Sequence, residues 1–188
     1  MAEPLHLFTA GEIAEAAAGV LTGSPETQLS AVATDTRKIV PGALFVALKG
    51  KNFDGADYAG QAVEKGAAAV LVSRECPEEK TAGLPAVIRA ADTLAAYQAI
   101  ARAYRRYFAG PVLAVTGSNG KTSTKELTAC VLNSALSTLK TKGNFNNEIG
   151  LPLTLLQLDM EHDAAVVEMG MRGLGQIAQL AAVAEPVI

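Results

Sequence analysis

The strongest chemical signal in the sequence is a short loop of small residues that ends in a lysine and a threonine. The loop comprises Gly117, Ser118, Asn119, Gly120, Lys121 and Thr122. Glycines let backbone N–H groups turn inward around phosphate oxygens, and a following helix adds partial positive charge at its N-terminus. Lys121 could reach the β- and γ-phosphates of a nucleotide, and the Thr122 hydroxyl could ligate Mg²⁺. The loop therefore predicts a site for ATP and Mg²⁺.

The spacing of this loop departs from the commonest phosphate-binding pattern. No glycine stands at Val115 or Thr116, so only a Gly-x-x-Gly-Lys-Thr core remains. The alternative is a glycine-rich turn that happens to contain a lysine. A phosphate loop needs a strand before it and a helix after it. The apolar run 112–115 and the helical pattern from Lys121 supply both, and they favour the phosphate loop.

A carboxylate, Glu168, stands directly after the apolar run 164–167. Ligand sites in open parallel sheets lie at the carboxyl ends of the strands, and a carboxylate there can hold Mg²⁺ beside a nucleotide. The alternative is an ordinary acid at the end of a strand. Beside a phosphate loop, we favour metal binding.

Three asparagines, Asn144, Asn146 and Asn147, stand within four positions of the segment 143–150. Their amides offer donors and acceptors without charge, which suits a polar substrate. A turn built from asparagines explains the spacing equally well, so both interpretations stay open at this point.

The elements that must position these residues alternate along the chain. The sequence predicts strands at 44–48, 68–72, 86–88, 112–115 and 164–167 and helices at 9–19, 58–65, 92–108, 174–184 and from residue 121. This alternation indicates an α/β fold with parallel strands and helices on the faces of the sheet. Gly110–Pro111 marks the predicted boundary between domains at 1–110 and 111–188. The final Pro186–Ile188 resembles the start of a buried strand, so we expect the second domain to be incomplete at its C-terminal end.

Capping residues and helix faces support these helices. Thr9 and Glu12 form a capping box, and Asp92 can cap the long third helix. Leu127, Val131 and Ala135 share one face of the helix that follows the loop.

Composition limits the classes of function. The net charge of −3 offers no basic surface for nucleic acid. No apolar run reaches the roughly 18 residues of a membrane helix, so we expect no membrane insertion. Cys76 and Cys130 stand far apart and predict two reduced thiols in a cytoplasmic protein. We expect His6 and His162 to be structural or surface residues, not catalysts.

Three blocks of sequence together resemble the Mur ligases. They are Thr34–Arg37 with Pro41–Gly50 and Phe53–Gly55, then Thr116–Ser123, and then Asn144–Leu155 with Glu168–Gly170. The resemblance implies a small N-terminal UDP-binding α/β domain followed by a truncated P-loop-type ATPase domain with a parallel sheet. It also explains the missing glycine, because the family has a short ATP loop that includes Ser123.

Within this family, the chain most resembles the members that add D-alanyl-D-alanine to the UDP-N-acetylmuramoyl tripeptide. Members that add the third amino acid usually carry Thr-Thr-Pro where this chain has residues 143–147. That difference favours the first group, with the second kept as an alternative. Members often have a histidine after Asp54–Gly55, where this chain has Ala56.

The resemblance implies a stepwise ligation. The terminal carboxylate of the tripeptide takes the γ-phosphoryl group of ATP, and the amine of D-alanyl-D-alanine then displaces phosphate from the acyl phosphate. Lys121 and Glu168 are the implied catalytic residues, with Thr122 and Glu168 on Mg²⁺. The implied contacts with the UDP end are Thr34, Thr36, Lys51, Asn52 and Phe53, and those with the peptide or nearby phosphates are Asn144, Asn146 and Asn147.

The sequence leaves two alternatives to a ligase, a small-metabolite kinase and a nucleotide-binding module. A small-metabolite kinase would need the phosphate loop but no separate uridine-binding domain, so residues 1–110 argue against it. A nucleotide-binding module without ligase activity is the other alternative. Because members of the family are much longer, we expect this chain alone to be an inactive fragment. Separately, we expect it to be a monomer.

Overall fold

The structure, a computed structural model, describes Pro4, residues 6–50 and residues 53–188. Its contacts divide the chain into a first unit, Leu7–Ile100, and a second unit, Ala101–Ile188 with the described part of Met1–His6. The sequence predicted a domain boundary at Gly110–Pro111, and the division into a UDP-binding and an ATP-binding domain at that point stays a prediction.

The first unit combines a mixed sheet with short helices. Its strands are β1 (Val20–Gly23), β2 (Val32–Ala33), β3 (Leu44–Val46), β4 (Ala69–Ser73) and β5 (Ala86–Ala90). Its helices are α1 (Ala10–Ala16), α2 (Ala59–Glu64) and the first part of α3 (Thr93–Arg105).

Local signals place the helix starts as predicted. The Thr9 hydroxyl accepts a hydrogen bond from the Glu12 N–H at 3.2 Å, and the Glu12 carboxylate accepts one from the Thr9 N–H at 2.7 Å. Asp92 accepts hydrogen bonds from the N–H groups of Leu94 and Ala95 at the start of α3. Both predicted caps are therefore confirmed.

The order of strands in the first sheet is β1-β5-β4-β3-β2. The strands β2 to β5 run parallel, and β1 pairs antiparallel with β5 at one edge. β4 is almost wholly buried, which explains its continuous apolar sequence. β1 was not predicted, because it is largely exposed and carries no apolar pattern that distinguishes a strand from a loop.

The second unit holds a parallel sheet with helices around it. Its strands are β6 (Val112–Val115), β7 (Thr138–Lys140) and β8 (Ala164–Glu168), and its helices are α4 (Lys121–Leu132), α5 (Gly150–Leu155) and α6 (Gln176–Ala184). The strand order is β6-β8-β7, and both pairs are parallel. The Val187 N–H donates to the Val112 carbonyl, so the last residues extend the pairing along β6. The predicted α/β fold with a parallel second sheet is confirmed.

The face of α4 that packs on the sheet is not the apolar face seen in the sequence. Leu127 is 68% exposed and Val131 is 71% exposed, whereas Lys125 and Ala129 are buried. The helix starts directly after the loop, so the loop sets its rotation and turns Lys125 and Ala129 toward β7 and β8. Ala135 lies beyond the end of the helix and is exposed.

The link from α3 to β6 depends on a glycine. α3 ends at Arg105, before the predicted end near residue 108, and the chain then passes close to the segment before β8. A Cβ added at Gly110 would lie 2.2 Å from the carbonyl oxygen of Asp163. Only a residue without a side chain allows this approach.

The structure also describes both cysteines and the lengths of the helices. Cys76 is buried, Cys130 is exposed, and both are free thiols. Within the described part of the chain, no helix is both long and apolar enough to span a membrane.

The end of α6 predicts a measurable dependence of stability on pH. Arg106 and Arg102 each donate to the Glu185 carboxylate at 2.7 Å, and these hydrogen bonds lower the pKa of Glu185 from 4.5 to about 2. The contribution to stability is therefore complete above about pH 4.5 and is lost as the pH falls toward 2. We expect Glu185→Gln to flatten the acid side of the stability curve.

Urea unfolding measured across this pH range checks the expectation. Glu161→Gln, which removes another exposed carboxyl group of the same unit, is the control and should leave the slope as in the unmodified chain. If the curves of the Glu185 variant and the unmodified chain run parallel, Glu185 contributes nothing through its arginines.

Candidate functional site

The predicted phosphate loop connects β6 to α4 and is largely exposed. Its glycines adopt positive φ values, 148° at Gly117 and 75° at Gly120. A Cβ at Gly120 would meet nothing within 4 Å, so its backbone conformation, not crowding, requires a glycine. The loop therefore leads into the N-terminus of α4 as a phosphate site requires.

The Lys121 side chain folds back over this loop. Its Nζ donates to the carbonyl oxygen of Gly117 at 2.7 Å and lies 3.4 Å from that of Ser118. A phosphate oxygen is a stronger acceptor for an ammonium group than a neutral carbonyl. The geometry therefore places the lysine where it could exchange these carbonyls for a phosphate.

Glu168 is the last residue of β8, and its side chain is buried. One carboxylate oxygen accepts a hydrogen bond from the Thr122 hydroxyl at 3.0 Å. The other accepts one from the Asn146 amide at 2.8 Å. The structure thus brings together three predicted site residues from three separate parts of the chain.

This donor set fits Mg²⁺. Carboxylate and hydroxyl oxygens meet where Glu168 contacts Thr122, and Mg²⁺ prefers oxygen ligands. Across the residues that the structure describes, no group of three or more His, Cys, Asp or Glu side chains could hold a metal ion. Mg²⁺ beside a nucleotide needs no such group, because phosphates and water complete its coordination.

The three predicted asparagines differ in their surroundings. Asn146 contacts Glu168, and its carbonyl oxygen accepts a hydrogen bond from the Gly170 N–H. The side chain of Asn147 accepts from the N–H groups of Ile149 and Gly150 and so caps α5. Asn144 is exposed. Their contacts with substrate stay predictions.

Sequence reasoning missed Lys125, which lies one helical turn after Lys121. Its side chain is 1% exposed, and its Nζ donates to the Thr141 carbonyl at 2.8 Å. The same Nζ lies 3.8 Å from Glu168 and 3.1 Å from Glu126. Its position four residues after Lys121 places both lysines on one helix face, and this was the available signal.

Thr141 was missed as well, and it anchors the backbone of Glu168. Its hydroxyl accepts a hydrogen bond from the Glu168 N–H at 3.0 Å, and the residue is fully buried. It directly follows β7, so the ends of β7 and β8 meet beside the start of α4. No local pattern in the sequence marked this threonine.

A separate cavity of about 620 Å³ lies within the first unit. Its lining includes three residues predicted to hold a UDP group, namely Thr34, Thr36 and Phe53. Phe53 is 58% exposed, and a Cβ at Gly50 would lie 2.3 Å from its ring. The other two predicted residues of this group, Lys51 and Asn52, lie outside the described residues.

Polar and charged groups surround this cavity. The Thr36 hydroxyl donates to Gln61 at 2.7 Å, and Lys65 donates to the Thr36 carbonyl at 3.1 Å. The Arg37 guanidinium binds Asp35 through several hydrogen bonds, which lower the pKa of Asp35 to about 2. Cations, hydroxyl groups and an exposed aromatic ring suit a nucleotide with attached phosphates.

Ala56, where Mur ligases often have a histidine, is buried. It belongs to an apolar cluster with Phe45, Ala47 and Ala59. Its N–H donates to the Asp54 side chain at 3.0 Å, which starts the turn before α2. The position therefore serves packing in this chain.

Two family descriptions match most of the chain. Residues 28–105 match the Mur ligase family, catalytic domain, and residues 115–188 match the Mur ligase middle domain. The first match includes the lining of the cavity, and the second includes the phosphate loop and Glu168.

Several curated relatives carry the name UDP-N-acetylmuramoyl-tripeptide–D-alanyl-D-alanine ligase. The relative from Synechocystis is 49% identical over 88% of this chain, and the one from Escherichia coli is 46% identical over 95%. The relative from Bacillus subtilis is 45% identical over 95%. The chain spans 36–39% of the length of these three relatives.

Solved structures give the same result. A crystal structure of MurF from Acinetobacter baumannii aligns with a TM-score of 0.88 at 34% identity, covering 97% of this chain and 40% of that one. A MurF ligase from Thermotoga maritima in complex with ADP aligns with a TM-score of 0.73 at 34% identity, covering 83% and 35%.

Proposed function

The chain belongs to the Mur ligase family, and we propose that it forms the UDP-binding and ATP-binding parts of a ligase that adds D-alanyl-D-alanine to the UDP-N-acetylmuramoyl tripeptide. One observation carries the proposal: Thr122 and Asn146 both donate to Glu168 beside the phosphate loop. This contact joins the ATP loop to the asparagine segment that distinguishes the D-alanyl-D-alanine ligases from the alternative members. The names of the curated relatives support the same choice.

In this proposal the loop 117–123 binds the phosphates of ATP. Backbone N–H groups at the start of α4 contact phosphate oxygens, and Lys121 exchanges its bonds with the loop carbonyls for the γ-phosphate. As the phosphoryl group moves to the substrate carboxylate, the ammonium group neutralises charge on its oxygens. Lys121 therefore acts by electrostatics and positioning.

Thr122 and Glu168 would hold Mg²⁺ in this arrangement. When bound, the ion would neutralise charge on the phosphate groups of the nucleotide. Asn146 keeps the second oxygen of Glu168 occupied, so only the oxygen that contacts Thr122 faces the loop. The fixed carboxylate needs little rearrangement to meet the cation.

The protein's part in forming the amide bond is to hold reactants in place. The substrate carboxylate attacks the γ-phosphorus and ADP leaves. The amine of D-alanyl-D-alanine then attacks the acyl carbon, loses a proton and displaces phosphate. Holding the reacting groups together lowers the entropic cost of both steps.

We assign the UDP end of the substrate to the cavity of the first unit. Lys65 and Arg37 could contact the diphosphate, and Thr34 and Thr36 could contact the polar groups of the nucleotide. Phe53 offers an exposed ring on which uracil could stack. A cytoplasmic location and a monomeric state stay predictions.

Calorimetric titration of the chain with UDP, UDP-N-acetylmuramoyl tripeptide and ATP tests the binding part of this function. We expect UDP and the tripeptide to bind with or without ATP, and ATP to bind more tightly with Mg²⁺. A small-metabolite kinase would bind ATP but neither UDP compound, and that result would overturn the proposal.

Ligation is tested by replacing the matching segment of the Escherichia coli relative with this chain. The chimera should release phosphate from ATP only when both the tripeptide and D-alanyl-D-alanine are present. Phosphate release with a single amino acid in place of D-alanyl-D-alanine would instead support the ligase for the third residue.

Phe53 provides a prediction for the UDP cavity. Phe53→Ala should weaken UDP binding about 5- to 150-fold, because stacking of a base on an aromatic ring contributes about 1–3 kcal/mol. ATP affinity should not change. Tyr107→Ala, which removes an exposed ring of the second unit, is the control. Equal UDP affinity in both variants would place the base elsewhere.

A further inference from the structure

Lys125 is a buried charge at the centre of the ATP site, and the mechanism above does not use it. Its side chain is 1% exposed, and that of Glu168 is 3% exposed. The nearest groups are the Thr141 carbonyl oxygen at 2.8 Å, Glu126 at 3.1 Å and Glu168 at 3.8 Å.

A buried lysine in this position lowers the free energy of unfolding, because its charge loses its hydration. Removing an ammonium group from water carries a large desolvation penalty, which the attraction of nearby carboxylates often fails to offset in full. An apolar side chain of similar length would fill the same space on the inner face of α4 without this cost. Packing alone therefore does not explain why a charged side chain occupies position 125.

The contacts of Lys125 and its neighbours fix Glu168 from several sides. Lys125 approaches the carboxylate oxygen that also accepts from Thr122, and Asn146 occupies the other oxygen. Thr141 accepts from the Glu168 N–H through its hydroxyl group and from Lys125 through its carbonyl. Side chain and backbone of Glu168 are thus held by one connected network.

We infer that Lys125 is a positioning residue, whose ammonium group holds the Glu168 carboxylate and the end of β7 so that one carboxylate oxygen faces Thr122 and a divalent cation. The inference rests on the proposed function, because it takes Glu168 as the cation ligand. Groups that orient a metal ligand typically change metal affinity 10- to 100-fold when they are removed.

The experiment compares four variants of the chain. Lys125→Met removes the charge at similar length, and Lys125→Gln keeps a donor for the Thr141 carbonyl without the charge. Glu168→Gln removes the ligand itself. Lys140→Met is the matched control, because Lys140 binds Glu126, whereas the polar contacts found for the Glu168 side chain within the described residues are with Thr122, Asn146 and Lys125.

The first measurement is the Mg²⁺ concentration needed to bring ATP binding to half its maximum. We expect Lys125→Met and Lys125→Gln to raise it about tenfold, with ATP affinity in the absence of divalent ions unchanged. Combining either one with Glu168→Gln should add nothing, because both changes act on one ligand. Lys140→Met should behave as the unmodified chain.

The second measurement needs no metal. The side-chain amide resonance of Asn146 reports the hydrogen bond to Glu168, so it should shift in both Lys125 variants but not in Lys140→Met. A merely structural lysine would lower the unfolding temperature and leave this resonance and the Mg²⁺ dependence unchanged.

The outcomes separate this inference from the proposed function. If the unmodified chain binds ATP without any dependence on Mg²⁺, the proposed metal site itself is wrong. If Glu168→Gln reduces that dependence but the Lys125 variants match Lys140→Met, only the positioning role is wrong. Loss of the folded state in both Lys125 variants would make the residue structural and would also overturn the inference.

Discussion

Lys121→Ala will weaken ATP binding by about 10- to 150-fold without lowering the unfolding temperature. The estimate follows from the loss of one hydrogen bond between charged groups, which contributes about 1.5–3 kcal/mol. The fold should be unaffected, because within the described part of the chain the lysine's hydrogen bonds go to carbonyls of its own exposed loop. Phosphoryl transfer, where more charge develops on the phosphate, should fall further than binding.

Calorimetry with ATP and Mg²⁺ measures the binding loss directly. Lys142→Ala is the matched control, since it removes an exposed lysine of the same unit outside the loop. We expect the control to bind ATP normally. Equal ATP affinity in the two variants would mean that the loop is only a glycine-rich turn, the alternative that the sequence left open.

Glu168→Gln should raise the Mg²⁺ concentration needed for half-maximal ATP binding by about 10- to 100-fold, the range typical when the groups around a metal ion are disturbed. The amide keeps the shape of the side chain but loses the charge that attracts the ion. The variant should also be less stable by up to about 3 kcal/mol, because Lys125 loses one of its two carboxylates.

Glu126→Gln is the control for this second effect. It removes the other carboxylate beside Lys125, and the Glu126 side chain is exposed on the surface of α4. We expect a normal Mg²⁺ requirement in this variant, measured by ATP titration at graded Mg²⁺. If both glutamine variants change the requirement equally, the general charge of the network matters, and Glu168 is not a specific ligand.

Much of the fold could be predicted because its signals are local. Thr9 and Glu12 interact across three residues, and Asp92 bonds to N–H groups two and three residues ahead. Continuous apolar runs marked the strands β4, β6 and β8, of which β4 and β8 are almost wholly buried. The strands β1, β2 and β7 escaped prediction, because they are short and at most partly buried, and so no continuous apolar run marks them.

The rotation of α4 shows why a pattern of residues can mislead about packing. Leu127 and Val131 form an apolar stripe at helical spacing, and yet they are exposed while Lys125 is buried. The start of the helix is set by the phosphate loop. The end of the loop therefore fixes the rotation of α4 about its axis, and this rotation determines which side chains face the sheet.

The sequence by itself determined the family, the phosphate loop and the identity of Glu168 as the acid at the end of a strand. These features depend on residue type and on neighbours close in the chain. Only the tertiary structure decided which groups meet there: Asn146 binds Glu168, and Lys125 and Thr141 complete the network. Hydrogen bonds and ion pairs act over a few ångströms in space, and residues 16 to 46 positions apart in the chain come within that distance only after folding.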